Sequence, residues 1–439
     1  MRPSRIVFYG NFGAGNLGNE VTLQTAIDQT RARIPGAELL CVCTNPDDVR
    51  SRHGIDAAPA MSRDSGWSWS ELDAQQTAVA TTGAAQPGEL PTRRRFAAKL
   101  KRLGRILFRR LPRELAHWYQ MARLMARSDA FLVPGTGIIT DGSCGSLGWP
   151  YDMFKLSMLA RLCGKRVIFL SVGAGPFEHR LGSWLIKRSL GFAHYRSYRD
   201  ADSKRRLEEI GFDTTRDVLC PDLVFGLSHD RLHKPAIERT PRIVGLGLKD
   251  YAAPVDDADS KQYRDYLGLM ADFVVWLQGQ QCAVRLIIGD AQYDTRVRED
   301  LVAALAQRGV STQAPLLLSE PVPTVDELLR QLSETDAVIS PRFHNLVLAL
   351  MLNKPVIALS DLPKVTALLV DLGLGQFCLP LETLKIEGLT GCFTQVLDST
   401  GTLKPFLNDA MNRYRRAVEE QYASVYARFG EAHHANRPR

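Results

Sequence analysis

Apolar residues fall in short, dense runs along this chain, each closed by a glycine-rich or polar loop and then a stretch of helical periodicity. Ile6 to Gly10 predicts a strand, Glu20 to Ala32 a helix, and Ala37 to Cys43 the next strand. Further on, Ala130 to Gly135 predicts a strand, Tyr151 to Leu162 a helix, and Arg166 to Gly175 a strand. Strand, loop, helix, strand is the pattern of parallel βαβ units.

The pattern breaks near residues 226–241, where mixed polar residues accompany Pro235 and Pro241, and then restarts. Arg242 to Leu248, Ala283 to Gly289, Asp336 to Ser340 and Pro355 to Leu359 predict strands, the last closing the series. Tyr263 to Gln278, Arg298 to Gln307, Val325 to Leu332 and Phe343 to Leu352 predict helices between them. Asn408 to Phe429 predicts a long terminal helix. The expected fold is α/β, with two Rossmann-like domains: residues 1–228 and 240–400, followed by a C-terminal helix and tail over 401–439 that crosses back onto the first domain. Residues 60–113 form an expected insertion in the first domain.

Composition narrows the class. With 439 residues, 45% hydrophobic and 23% charged, the chain has a globular composition, not that of a disordered, collagenous or small disulfide-rich protein. The net charge of +7 is unevenly placed: between Arg93 and Arg113 stand ten Lys or Arg and no carboxylate, so the remainder is mildly acidic. Phe96, Leu100, Leu103, Leu107 and Leu111 step by three and four through that block. The block predicts an amphipathic helix ended by Pro112, with an anionic membrane surface as its expected partner. Nucleic acid is not expected, because the remaining chain would repel phosphate. No apolar run reaches the roughly 18 residues of a spanning helix, and no secretory signal is evident. The eight Cys are scattered without a C-x-x-C pair, and the expected setting is a reduced cytoplasm, possible binding to the inner face of the membrane included, with no metal site.

Four segments are candidates for chemistry. The loop Gly10 to Glu20 contains Gly15, Asn16, Gly18, Asn19 and Glu20 between a strand and a helix, where backbone N–H groups face an anion or a sugar. Its glycines match G-x-G-x-x-G, yet no clear acidic partner follows in the dinucleotide position. The loop Pro134 to Gly142 carries Gly137 and Asp141, the latter a candidate base or a cap. Arg199 precedes Asp200 at a strand-to-helix switch; Asp200 is an expected N-cap, and Arg199 suits a phosphate or carboxylate. Arg342 and His344 lie two apart before an apolar helix, a cation and an imidazole expected on one side of the chain, with Lys364 downstream.

In this order the segments resemble the polysaccharide pyruvyl transferase family. The matching residues are Asn16-Leu17-Gly18-Asn19-Glu20, Gly135 to Asp141, Val172 to Pro176, Arg199-Asp200 with Ser203, Pro221-Asp222 with Phe225, Arg342-Phe343-His344, and Pro355 to Lys364. The resemblance implies a GT-B-like pair of domains facing a cleft. It implies transfer of the pyruvyl group of phosphoenolpyruvate to two hydroxyls of a sugar in an oligosaccharide or lipid-linked glycan, giving a ketal and phosphate, with no cofactor. Arg199, Arg342, His344 and Lys364 would hold the donor, and His344 would move a proton. Asp141 is the expected second catalytic group. The acceptor would lie on Gly15, Asn16, Gly18, Asn19, Glu20, Gly137 and Asp141. The chain departs from the family where Asn19 replaces a common Asp, Asp361 a common aromatic residue, and Pro134 a glycine. Two other functions fit the same layout: a glycosyltransferase using a nucleotide-sugar donor, and a non-catalytic sugar-binding relative.

Overall fold

The computed structural model describes residues 3–61, 111–142, 144–232, 241–251, 260–360 and 362–435. Two parallel sheets form its frame. The first has seven strands in the order β3-β2-β1-β4-β5-β6-β7. These are β1 (Arg5–Gly10), β2 (Glu38–Cys43), β3 (Asp56–Pro59), β4 (Ala130–Pro134), β5 (Arg166–Val172), β6 (Tyr195–Tyr198) and β7 (Val218–Leu219). The second has six strands in the order β10-β9-β8-β11-β12-β13. These are β8 (Ile243–Leu248), β9 (Ala283–Ile288), β10 (Leu317–Leu318), β11 (Ala337–Ser340), β12 (Val356–Leu359) and β13 (Cys378–Leu379). The expected α/β fold with two facing domains is therefore the observed one. The second sheet continues one strand past Pro355 to Leu359, where the apolar pattern ends.

The helices are α1 (Leu17–Arg33), α2 (Pro46–His53), α3 (Leu111–Ala126), α4 (Trp149–Leu162), α5 (Arg180–Gly191), α6 (Ala201–Glu209), α7 (Lys261–Gly279), α8 (Asp294–Gln307), α9 (Val325–Ser333), α10 (Phe343–Met351), α11 (Pro363–Asp371), α12 (Ile386–Asp398) and α13 (Thr400–Ala435). They cover both faces of the sheets. The central strands are buried along nearly their whole length, as the continuous apolar runs require: β1 is buried from Ile6 to Gly10 and β8 throughout. Cys41 and Cys43 are both buried on one side of β2, as their alternation implies, and all eight cysteines are unpaired.

Residues 62–110 lie outside the described residues, and with them most of the predicted basic helix and insertion. Of its described positions, Pro112 stands in the first turn of α3, where a missing N–H costs no hydrogen bond.

Topology decides where a ligand can sit. In each sheet the strand order reverses, between β1 and β4 in the first and between β8 and β11 in the second. A crevice opens at such a reversal, at the carboxyl ends of the strands. The loops after β1 and β4 flank one crevice, and those after β8 and β11 flank the other. The two crevices meet: Leu17 N–H donates to Gly289 O at 3.1 Å, and Ala291 N–H to Gly15 O at 2.9 Å. The crossing helix α13 fastens the back, with the Tyr426 and Thr30 hydroxyls 2.6 Å apart and Gln421 Nε2 donating to Ser171 Oγ at 3.0 Å. Among the described residues no helix is long and apolar enough to cross a membrane.

Candidate active site

His344 is the meeting point of the two domains. It stands in the first turn of α10, above the amino end of α1. A Cβ built on Gly18 would collide with the imidazole ring at Nδ1, so only glycine lets the two helix starts approach this closely. Its Nε2 is 3.9 Å from Asp222 Oδ2, too long for a hydrogen bond, and has no hydrogen-bond partner among the described residues. Burial pushes the imidazole pKa down to about 4; Asp222 opposes this, and the charges of Lys364 and Arg199 add to it. His344 is therefore neutral near pH 7 in the unliganded protein.

Two cations face it, one from each domain. Arg199 follows β6, at the entrance to α6, whose N-cap is Asp200 through a 2.6 Å bond from Ser203 N–H. Its guanidinium lies on Gly173, where a Cβ would fall 2.5 Å from Nη2. Its ion pairs, to Asp200 and Asp222, are both 3.4 Å long. Such lengths lie beyond the normal range and leave the cation loosely held. Lys364 opens α11 and has no ion-pair partner among the described residues. Burial pushes its pKa down to about 7, and Arg199 adds to this. Both cations sit on the Phe343 ring, with Arg199 Cζ 5.7 Å and Lys364 Nζ 5.4 Å from its centroid. Lys249, just past β8, joins the same neighbourhood, and burial lowers its pKa too. Cations that repel one another inside a partly dry cleft form a site for an anion.

Arg342 takes a different part from the one its spacing suggests. The segment turns helical at Phe343, so Arg342 and His344 point apart. The Arg342 guanidinium makes a bidentate pair with the Asp294 carboxylate at the start of α8, one of its bonds 3.0 Å long. Asp294 is 0% exposed and also accepts Asp250 N–H and Asp290 N–H. Asp290 in turn accepts Asn16 Nδ2 at 3.1 Å. Arg342 thus anchors a chain of bonds that ends in the first loop of the other domain. Removing it leaves a buried carboxylate unpaired, so Arg342→Ala is expected to destabilise by ~3–5 kcal/mol. Urea unfolding checks this; a loss below ~1 kcal/mol would count against the anchoring role.

The expected acceptor residues divide. Gly15 and Asn16 are used in the contact with residues 289–292, where Gly15 adopts φ +82°. Asn16 also caps α1 by accepting Asn19 N–H. Asn19 donates its amide to Asn11 O at 3.0 Å. Glu20 is 0% exposed and braces the loop, accepting Gly13 N–H at 2.8 Å and lying 2.9 Å from His53 Nε2. Asp141 is a corresponding brace: its two oxygens accept the N–H groups of Glu178 and His179 at 2.6 and 3.1 Å, and Gly182 packs against it. This carboxylate holds the turn that leads into α5, with one N–H group on each oxygen. Gly137 alone of this set is exposed, with its Cβ position 3.7 Å from Arg199 Nη2. Beside it, the buried Thr136 hydroxyl has no hydrogen-bond partner among the described residues.

Asp222 and Lys249 were not among the candidate site residues. Asp222 is buried, caps the turn at Leu223–Gly226 through Val224 N–H, and lies between Arg199 and His344. Both follow the carboxyl ends of strands, β7 and β8, the signal that could have found them. Among the described residues no group of three His, Cys, Asp or Glu is placed to hold a metal ion.

Solved structures with this architecture are GT-B enzymes. A Listeria monocytogenes protein described as a candidate UDP-N-acetylglucosamine 2-epimerase superposes with a TM-score of 0.60 at 12% identity, over 98% of each chain. The Neisseria meningitidis UDP-GlcNAc 2-epimerase gives 0.54 at 12% identity over 97% of this chain and 100% of its own. A glycosyltransferase of Rickettsia africae gives 0.55 at 10% identity, over 98% and 99%. At such identities the likeness establishes the fold alone. No curated protein matches the sequence. The family model of polysaccharide pyruvyl transferases does, over residues 16–361, a span that takes in Gly18, Arg199, Asp222, Arg342 and His344. With that match across most of its length, the chain belongs to the polysaccharide pyruvyl transferase family of transferases.

Proposed function

We propose that this protein transfers the pyruvyl group of phosphoenolpyruvate to two hydroxyls of one sugar in a cell-surface or exported polysaccharide, or in its lipid-linked precursor. The products are a pyruvate ketal and phosphate. The observation that carries the reading is the placement of Arg199 and Lys364, from facing domains, beside the unpartnered Nε2 of His344. A donor with a phosphate and a carboxylate needs two cations, and its enol carbon needs a proton source next to them.

In this reading the donor's charge does two things. It neutralises Arg199 and Lys364, and so removes the repulsion that adds to burial in keeping His344 uncharged. His344 then takes a proton from solvent and delivers it to the methylene carbon. The first sugar hydroxyl adds to C2 and gives its proton back to the imidazole. The second hydroxyl displaces phosphate, which leaves with the oxygen that bound it to C2 and carries off that hydroxyl's proton. Asp222 steadies the imidazolium from 3.9 Å. The cytoplasm is the proposed location. No metal or cofactor enters the scheme.

The test pairs ligand binding with turnover. Phosphoenolpyruvate is expected to raise the melting temperature, UDP and GDP to leave it unchanged, and phosphate release to appear only when an oligosaccharide acceptor is added. Stabilisation by UDP or GDP and none by phosphoenolpyruvate would instead mark a nucleotide-sugar glycosyltransferase. Acceptor binding without phosphate release under any donor would mark a non-catalytic relative.

A further inference from the structure

Three helices, α3, α4 and α5, lie side by side on one face of the first sheet, with α4 in the middle. Their inward residues, among them Met121, Met125, Leu156, Ile186 and Leu190, form the core beneath. Their outward residues are apolar as well. Leu111, Leu115 and Tyr119 of α3, Leu162 of α4, and Leu181 and Trp184 of α5 are between 45% and 74% exposed. On α3 the exposed residues recur every fourth position, which places them in one stripe.

The stripes join into one surface. Trp118 of α3 donates its indole N–H to Tyr151 of α4 at 2.9 Å. Phe154 of α4, half-buried, meets the Trp184 ring with centroids 5.8 Å apart. A band of aromatic and leucine side chains thus crosses all three helices. Scattered exposed leucines are ordinary, but a continuous band is an interaction site.

Charge says what the site meets. Five exposed arginines stand among these side chains: Arg113, Arg123, Arg161, Arg180 and Arg188. Arg123 lies 5.7 Å over the Tyr119 ring and Arg188 5.5 Å over that of Trp184. The carboxylates of the three helices are Glu114 and Asp152, each 3.0 Å from the buried Lys155 ammonium. These three helices carry no other acid. Tyrosine and tryptophan with an arginine stacked on each suit the headgroup layer of a bilayer, where the ring enters and the guanidinium meets phosphate.

We infer that the α3–α4–α5 face docks the protein on an anionic membrane surface, with Leu115, Tyr119 and Trp184 entering the headgroup layer. Neither residues 62–110 nor the donor plays a part in this inference.

The test uses the full chain and vesicles of phosphatidylcholine with about one-third phosphatidylglycerol. The protein is expected to co-sediment with these vesicles, less so as salt rises, and at least tenfold less with vesicles of phosphatidylcholine alone. The triple variant Leu115→Ser, Tyr119→Ser, Trp184→Ser is expected to lose at least tenfold in vesicle partitioning with an unchanged melting temperature, since all three side chains are solvent-exposed. Arg123→Glu with Arg188→Glu should lower partitioning similarly while keeping the apolar band, which covers the case of a triple variant that fails to fold. Equal binding to both vesicle types, or wild-type partitioning by both variants, overturns the inference. So does concentration-dependent self-association that the triple variant abolishes, since a second copy would then be the occupant.

Discussion

Replacing His344 with alanine is expected to lower kcat/KM for phosphate release from phosphoenolpyruvate by ~10³-fold or more, about 4 kcal/mol of transition-state stabilisation. The size follows from the position. His344 carries the one imidazole between the two loosely held cations, and its Nε2 is buried without a partner. A buried donor left unbonded in the resting protein is costly unless a ligand completes it. Gly18→Ala is the companion test: the new Cβ would occupy the imidazole's own space, so either the ring moves or the cleft opens. A drop of at least ~100-fold is expected, with secondary structure retained by circular dichroism. If Gly18→Ala were fully active, the contact between α1 and α10 would not position His344. If His344→Ala stayed within about tenfold of wild type, the proton-transfer role would be lost.

Lys364→Met is expected to act in opposite directions on activity and stability. Loss of one charged contact to the donor corresponds to ~1.5–3 kcal/mol, so kcat/KM falls by roughly 10- to 150-fold, mostly through KM. The resting protein, however, gains stability. The Lys364 pKa is lowered from 10.5 to about 7, so the unfolded chain binds the proton more tightly than the folded one. Stability from this group therefore rises with pH between about 7 and 10.5, and the penalty is fully present below 7. His344, lowered from 6.5 to about 4, adds a second rise between those values. Methionine removes the lysine penalty, so the melting temperature at pH 7 should increase and the stability gain between pH 7 and 10 should flatten. Donor binding adds negative charge, raises both pKa values and draws in protons. Calorimetric titration of phosphoenolpyruvate at pH 7.5 in buffers of different ionisation enthalpy should show net proton uptake in wild type and less in Lys364→Met. An unchanged melting temperature with an unchanged pH slope would show that Lys364 is not desolvated.

Much of this protein could be read along the chain. Apolar runs marked the central strands because a parallel strand is covered on both faces and tolerates few polar residues. Asp200 read as a cap because capping acts within three residues. The ordered set Asn16 to Glu20, Arg199-Asp200 and Arg342-x-His344 pointed to the family that the match over residues 16–361 establishes. The helices α3 and α5 were not among the expected elements, although each carries a buried apolar face, with Met121 and Met125 on α3 and Leu185, Ile186 and Leu190 on α5.

What the sequence determined by itself was the local chemistry: strand, loop and helix, and which residue types stand at strand ends. Only the tertiary structure decided how each polar group is used. Arg342 became an anchor because Asp294, 48 residues earlier, lies buried beside it. Asp141 became a brace for the turn before α5 because two N–H groups 37 and 38 residues later needed an acceptor. Arg199 remained loosely held because its carboxylates, Asp200 and Asp222, stop 3.4 Å away, and Lys364 because no ion-pair partner stands beside it among the described residues. The reason is energetic. A buried charge or hydrogen-bonding group must be satisfied by whatever lies within about 3 Å, and folding, not spacing along the chain, selects those neighbours.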